Sequence, residues 1–441
     1  EYYLKSSVWH PNTQMKEWES FDKISKGKGI WLIDSKGNKI IDAVGSMWCN
    51  VWGHSNPQLV KAITKQTKQI QHSSLFNLTN EPVEKLAKNL IKISPGMNKV
   101  FYSDNGSSAM EIAIKMALQY WNNIGETKKT KIATVENGYH GDTFGAMSVG
   151  YVPEFFGKFK KQLFSTMQFP VPNKYRVPKG FTTSDYQNDC LDKIEKGFSK
   201  NNNIAAFIME SGAQMAGGVI IYPKDFQRKI RELCKKYDIL FVLDEIATGF
   251  GRLGSMVQYQ EQKSKPDIVA YGKMLTGGYM TMAATLANKK IYDSFSGEFY
   301  DWKHLFHGHT YTGNPIAAAV ANENIHMYEK YNLIKKIQNT SKIFTKYYQE
   351  ILDIDIVGDI RHKGMLMGIE LVSDKEKKIP IRTKKSINKV FFEEGKKQGI
   401  YLRTLGNIVM LVPPLAIKEK ELEMLLSRTI KTIQAAKSKI I

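Results

Sequence analysis

Short apolar runs recur through the middle of the chain, each closing on a polar or glycine-rich stretch and each followed by residues of helical spacing. The run Ile239, Leu240, Phe241, Val242, Leu243 lies between Asp238 and Asp244-Glu245. Consecutive apolar residues of β-branched and aromatic type predict a strand covered on both faces, as in a parallel sheet. Residues 99–104, 132–135, 204–209 and 266–271 predict further strands. They end at Asn105-Gly106-Ser107-Ser108, at Asn137-Gly138-Tyr139-His140-Gly141-Asp142, at Glu210-Ser211 and at Gly272-Lys273. Between them, Ala109, Ile112, Ala113, Met116 and Tyr120, and then Phe226, Ile230, Leu233 and Cys234, recur at three- and four-residue steps and predict helices. Strand and helix alternating from about 98 to 272 is the βαβ pattern of a doubly wound α/β sheet. Residues 150–200 read as an irregular, basic loop excursion.

The flanks follow other patterns. Residues 29–34 and 39–42 around Ser35-Lys36-Gly37-Asn38 predict a β-hairpin in a smaller domain. Residues 56–90 predict two amphipathic helices, and 317–331 a long helix leading out of the sheet. Beyond about 325 the pattern becomes α+β: strands at 358–361, 365–371, 400–403 and 408–412, a helix at 387–397, and a closing helix through Leu422, Leu425, Leu426, Ile430 and Ile433.

A chain of 441 residues exceeds what one hydrophobic core usually serves, so two domains are expected. No stretch approaches the roughly eighteen apolar residues of a membrane span, and the first residues lack the order of a signal peptide, which points to the cytoplasm. Cys49, Cys190 and Cys234 are too far apart for a C-x-x-C pair, which fits reduced thiols and no zinc site. The net charge of +20 raises nucleic-acid binding as an alternative. The lysines argue against it, being scattered as short pairs with no basic arm and no recognisable nucleic-acid module.

Candidate chemistry gathers at the strand ends. Ligands of open α/β sheets bind outside the carboxyl ends of the strands, where Asp244 and Lys273 both stand. Taken alone, an acid and an amine at strand ends also suit a solvated surface pair. The sharper reading is a pyridoxal 5′-phosphate site, with a lysine that holds the cofactor covalently and an aspartate on its pyridine nitrogen. Gly106 and Ser107 open a helix directly after a strand, where unpaired N–H groups and the helix dipole favour a phosphate. A dinucleotide fold is the structural rival, and no G-x-G-x-x-G follows the first strand.

Asp244-Glu245-Ile246-Ala247-Thr248-Gly249-Phe250-Gly251-Arg252, followed at this distance by Gly272-Lys273, resembles the class III aminotransferases of fold type I. Trp9-His10-Pro11 and 137–148 are similar to the branch of that family that makes 7,8-diaminononanoate from 8-amino-7-oxononanoate in biotin synthesis. The resemblance implies a large domain at 58–324, a small domain joining 1–57 to 325–441, and a homodimer with shared sites. It implies catalytic roles for Lys273, Asp244 and Tyr139, the last lying over the pyridine ring. Cofactor contacts would come from Gly106, Ser107, Tyr139, Asp244, Lys273, His309 and Thr310, with Thr310 reaching the other subunit's phosphate. Substrate would meet Met47, Trp48, Tyr139, Asp142, Lys273 and Gly308, and Arg403 would hold its carboxylate through a planar guanidinium. The amino donor would be S-adenosylmethionine or lysine. The alternative is another class III enzyme acting on an ω-amine such as ornithine or 4-aminobutyrate. His140, in a glycine-rich turn, reads as structural.

Overall fold

A computed structural model describes residues 6–440; residues 1–5 and 441 lie outside the described residues. Its central sheet has seven strands, in spatial order Lys99–Ser103, Ala283–Ala287, Ile268–Tyr271, Leu240–Asp244, Ile204–Glu210, Lys131–Val135 and Met167–Phe169. All neighbours run parallel except the two pairs made by Ala283–Ala287. The α/β, doubly wound architecture expected from the alternation is the one observed.

Apolar residues on both faces of each strand explain why the sheet is buried on both sides. Phe207, Met209, Phe241, Leu243, Val269 and Tyr271 pack on one face with Phe198, Phe226 and Ile230. Ala206, Ile208, Leu240, Val242, Ile268 and Ala270 pack on the other against Ala109, Ile112, Ala113 and Met116 of the helix Gly106–Asn123. Each large apolar side chain so buried contributes about 1.5–3 kcal/mol. The register sets Asp244 beside Glu210 on one side and Ala270 on the other, so the carboxyl ends of three strands meet.

Chain segments remote in sequence build the smaller sheets. Ile24–Lys28, Trp31–Asp34 and Lys39–Asp42 form an antiparallel ribbon that Ile400–Tyr401 extends in parallel, with Tyr401 opposite Asp42. Val357–Lys363, Leu366–Asp374, Ile408–Leu411 and Arg403–Leu405 form another sheet, with Ile379–Pro380 paired to the far end of Leu366–Asp374. The single strand expected at 400–403 is therefore two, divided between sheets at Leu402. Among the described residues no helix is long and apolar enough to cross a membrane.

Residues 150–200 are not the loop expected of them. They hold the sheet's edge strand Met167–Phe169 and the helix Thr183–Lys200. A capping box starts that helix: the Thr182 hydroxyl accepts the Asp185 N–H, while the Asp185 carboxylate accepts the Thr182 N–H at 3.1 Å. Cys190, Leu191, Ile194 and Phe198 form its buried stripe. Two more strands, Ile24–Lys28 and Ala283–Ala287, also escape the pattern, the first because it is mostly exposed.

After the central strand, Glu245 fixes how the chain turns away. Its fully buried carboxyl accepts the N–H groups of Gln258, at 2.6 Å, and Tyr259, at 2.8 Å, and so ties down the loop that follows Asp244. Burial pushes its pKa up from 4.5 to about 7. The folded protein then keeps a proton that the unfolded chain has released. The stability from this group is complete below about pH 4.5 and is lost as the pH rises through about 7. In Glu245→Gln the fall of Tm between pH 5 and 8 becomes shallower than in the parent protein. Parallel Tm curves across that range would contradict it.

Candidate active site

A cavity of about 400 Å³ opens at the carboxyl ends of the strands. Its wall includes Trp48, Gly106, Ser107, Tyr139, Asp142, Asp244 and Lys273, which the sequence assigned to a site, together with His140, Thr143, Glu210 and Thr248, which it did not assign to one. Asp244 is brought there as the last residue of a buried strand. One of its oxygens accepts the Ile246 N–H at 2.9 Å, and the other lies 2.7 Å from Nδ1 of buried His140. His140, read from the sequence as structural, is the side-chain partner of Asp244.

Lys273 follows the neighbouring strand, with its backbone in the left-handed region at φ 42°. Among the described residues its ammonium group makes no ion pair; it lies over the Trp48 ring, 5.7 Å from the centroid. Burial lowers its pKa from the ordinary lysine value, with Asp244 opposing the shift. An amine in that state more readily supplies the neutral form that attacks a carbonyl or takes up a proton.

Tyr139 is held at three points. Its N–H donates to Glu210 at 3.1 Å, its hydroxyl donates to Asp142 at 3.1 Å, and its ring stacks on Phe156 at 6.1 Å between centroids. Glu210 also accepts the Met215 N–H at 3.0 Å, so this carboxyl is turned into the protein framework. Burial raises its pKa to about 7, and Asp244 adds to the rise. Low in the cavity, Asn105 caps the helix Gly106–Asn123 by accepting the Ser108 N–H at 2.9 Å. The N–H groups of Gly106 and Ser107 precede any intrahelical bond. Ser107 Oγ accepts the Thr143 N–H at 3.1 Å, which joins the helix start to the loop after Asp142. A Cβ at Gly106 would stand 2.8 Å from Ile246 Cγ2, so only glycine fits.

Trp48 reaches the cavity from a different segment. Gly45, Ser46, Met47 and Trp48 have φ of 53°, 47°, 74° and 72°, four successive residues in the left-handed region. For a residue with a Cβ that conformation costs about 1–2 kcal/mol. Trp48 is buried against the cavity, whereas Met47 is 46% exposed and does not line it.

The remaining sequence-named residues lie outside this cavity. Gly308 and Thr310 are exposed; Thr310 offers its carbonyl to His72 at 2.9 Å. His309 Nε2 stands 2.9 Å from His307 Nε2. Arg403 is half-buried on Arg403–Leu405 and makes no ion pair among the described residues. A signal for His140 and Glu210 was present in their positions at strand ends, but their partners are long-range and no local spacing announces them.

The wall suits a phosphorylated pyridine carbonyl compound. It presents a buried amine, a carboxylate braced at the sheet edge, and a helix start with unpaired N–H groups. Two buried atoms in the wall, His140 Nε2 and Thr248 Oγ1, have no partner among the described residues. Residues 14–433 match the family model described as aminotransferase class-III. The chain is 41% identical over 431 residues to the adenosylmethionine-8-amino-7-oxononanoate aminotransferase of Geobacter sulfurreducens, covering 97% of this chain and 95% of that one. A crystal structure of the enzyme of that name from Methanocaldococcus jannaschii superposes with a TM-score of 0.92 at 42% identity, covering 98% of this chain and 97% of that one. The omega transaminase of Pseudomonas jessenii, solved in complex with PMP, gives 0.93 at 30% identity, with coverage of 98% and 97%. Strand order, site and relatives agree: the chain belongs to the class-III aminotransferases and is a pyridoxal-phosphate-dependent transaminase of fold type I.

Proposed function

We propose that the enzyme transfers an amino group to 8-amino-7-oxononanoate, giving 7,8-diaminononanoate for biotin synthesis, with S-adenosylmethionine or lysine as donor. The observation that carries this reading is likeness over nearly the whole chain to the Geobacter enzyme of that name. That Lys273 and Asp244 line one cavity supports it. We further propose a cytoplasmic homodimer with two domains, 58–324 and 1–57 joined to 325–441. The pairing of Lys39–Asp42 with Ile400–Tyr401 supports that division. Thr310, His309 and Gly308, remote from their own cavity, would serve the site of the second subunit.

When bound, pyridoxal phosphate supplies a conjugated ring that accepts the electron pair left when the substrate carbon loses its proton. Lys273 would hold the cofactor through its side-chain amine and, with that amine free, would take up the substrate proton on Nζ and give it back. Asp244, braced by His140, keeps a positive charge on the ring nitrogen. Gly106 and Ser107 receive the phosphate at the helix start. Tyr139 and Trp48 confine the ring and the substrate chain, with Asp142 holding the Tyr139 hydroxyl. Arg403, a half-buried guanidinium with no ion pair among the described residues, pairs with the substrate carboxylate.

The direct test is turnover of 8-amino-7-oxononanoate by the holoenzyme with each donor in turn. Turnover of ornithine or 4-aminobutyrate in its absence would favour the ω-amine reading instead. In Asp244→Asn the fold and cofactor absorbance are expected to persist while kcat falls by about a hundredfold or more, since an amide does not stabilise a buried cation as a carboxylate does. Near-parental kcat would remove Asp244 from the mechanism. In Arg403→Ala the single-turnover half-reaction with 8-amino-7-oxononanoate weakens about a hundredfold, the usual loss when a desolvated charge pair is broken. An unchanged half-reaction would make this arginine structural.

A further inference from the structure

The left-handed turn Gly45–Trp48 raises a question the catalytic residues do not answer: what keeps it in a conformation that Ser46, Met47 and Trp48 would not choose. Within the turn, the Trp48 N–H donates to Val44 O at 2.8 Å, and the N–H groups of Cys49 and Asn50 donate to Gly45 O at 3.1 Å. A right-handed turn would offer bonds of the same kind, so these do not select the hand.

Asp42 makes contacts that do. It is fully buried and takes three donors from two directions. Its Oδ1 accepts the Ser46 N–H at 3.0 Å, its Oδ2 accepts the Ser46 hydroxyl at 2.6 Å, and the same oxygen lies 2.9 Å from His54 Nε2. Both bonds from Ser46 require that residue to be where the left-handed turn puts it. The backbone of His54 is fixed by the ribbon. Its N–H donates to Gly29 O at 2.7 Å, its carbonyl accepts the Gly29 N–H at 3.1 Å, and a Cβ at Gly27 would stand 2.7 Å from His54 Cβ. The imidazole is therefore pinned to the ribbon that also carries Asp42; its Nε2 shares Asp42 Oδ2 with the Ser46 hydroxyl and lies 3.4 Å from Asn50 Nδ2, at the end of the turn.

We propose that His54, acting through Asp42, is a positioning residue for the substrate: it fixes the strained turn Gly45–Trp48 and thereby the Trp48 ring against Lys273. Removing the imidazole frees the Asp42 carboxylate to turn, loosens both Ser46 bonds, and lets the turn relax. Trp48 then leaves its place over the Lys273 amine. The cofactor wall at Asp244, His140, Ser107 and Tyr139 lies on other elements and keeps its geometry. The expected signature is lost substrate affinity with little loss of chemical rate, because Trp48 bounds the substrate while the proton is carried by Lys273. The proposal rests on the assignment of this cavity as the transamination site, and its test separates the two.

The experiment compares parent, His54→Ala and His54→Gln holoenzymes by hydrogen exchange of peptides spanning 43–52 and by steady-state kinetics with whichever donor the parent uses. His54→Ala is expected to exchange about tenfold faster at the Ser46 and Trp48 amides, with unchanged protection of Leu240–Asp244. Its KM is expected to rise about tenfold while kcat stays within about threefold. Gln, whose amide can replace the Nε2 donor, is expected to restore both. If His54→Ala does not give folded protein, His54→Phe keeps a ring without the donor and is read in the same way. Unchanged exchange overturns the proposal, as does faster exchange with unchanged KM, or a Gln variant as impaired as Ala. Exchange does not depend on turnover: unchanged exchange in His54→Ala with an active parent overturns the positioning role alone, whereas absence of transamination by the parent, with the turn loosened, overturns the substrate reading and with it the role built on it.

Discussion

The site depends on a carboxylate kept at the buried end of the central strand. Asp244 is nearly inaccessible to water, and an isolated charge in such a place would cost several kcal/mol. The Ile246 N–H on one oxygen and the His140 imidazole on the other offset that cost. Because the strand is locked between two parallel neighbours, the carboxylate has little freedom to turn. The rest follows from the sheet: the adjacent strand brings Lys273 to the same edge, and the strand at the far side of Ala283–Ala287 brings the helix that begins at Gly106.

Burial acts in opposite directions on the groups gathered there. It lowers the Lys273 pKa, favouring a neutral amine, and raises that of Glu210, favouring a neutral acid. Glu210 spends its oxygens on the Tyr139 and Met215 N–H groups, so its part is to hold the ring of Tyr139 in place. On the proposed reading, such a site would take a planar cationic ring beside Tyr139 and leave Lys273 as the base that moves protons.

The meeting of Asp244 and Lys273 in one cavity was legible in the chain because one ends and the other closely follows a buried strand, and buried strands announce themselves as apolar runs. The helix start at Gly106 was legible for the same reason, as a strand followed by a glycine turn and a helical stripe. His140 was not, since its partner lies 104 residues away and nothing local marks the pair. The segment 150–200 escaped because its strand has only three residues and its helix carries a narrow stripe among many charges. The left-handed turn at Gly45 was also hidden: Ser46, Met47 and Trp48 have no preference for that region, and nothing in the sequence marks the contact of Ser46 with Asp42 four residues earlier. Gly308, His309, Thr310 and Arg403 were named through family likeness, and a single chain does not bring them into the cavity it lines.

That strand ends deliver one reactive amine to a braced carboxylate is the central claim. Its most direct measurement is borohydride reduction of the holoenzyme followed by peptide mapping of the bound cofactor. The account predicts one labelled peptide, with the cofactor fixed to Lys273. Label on any other lysine, or reduction that leaves the cofactor free, would contradict it.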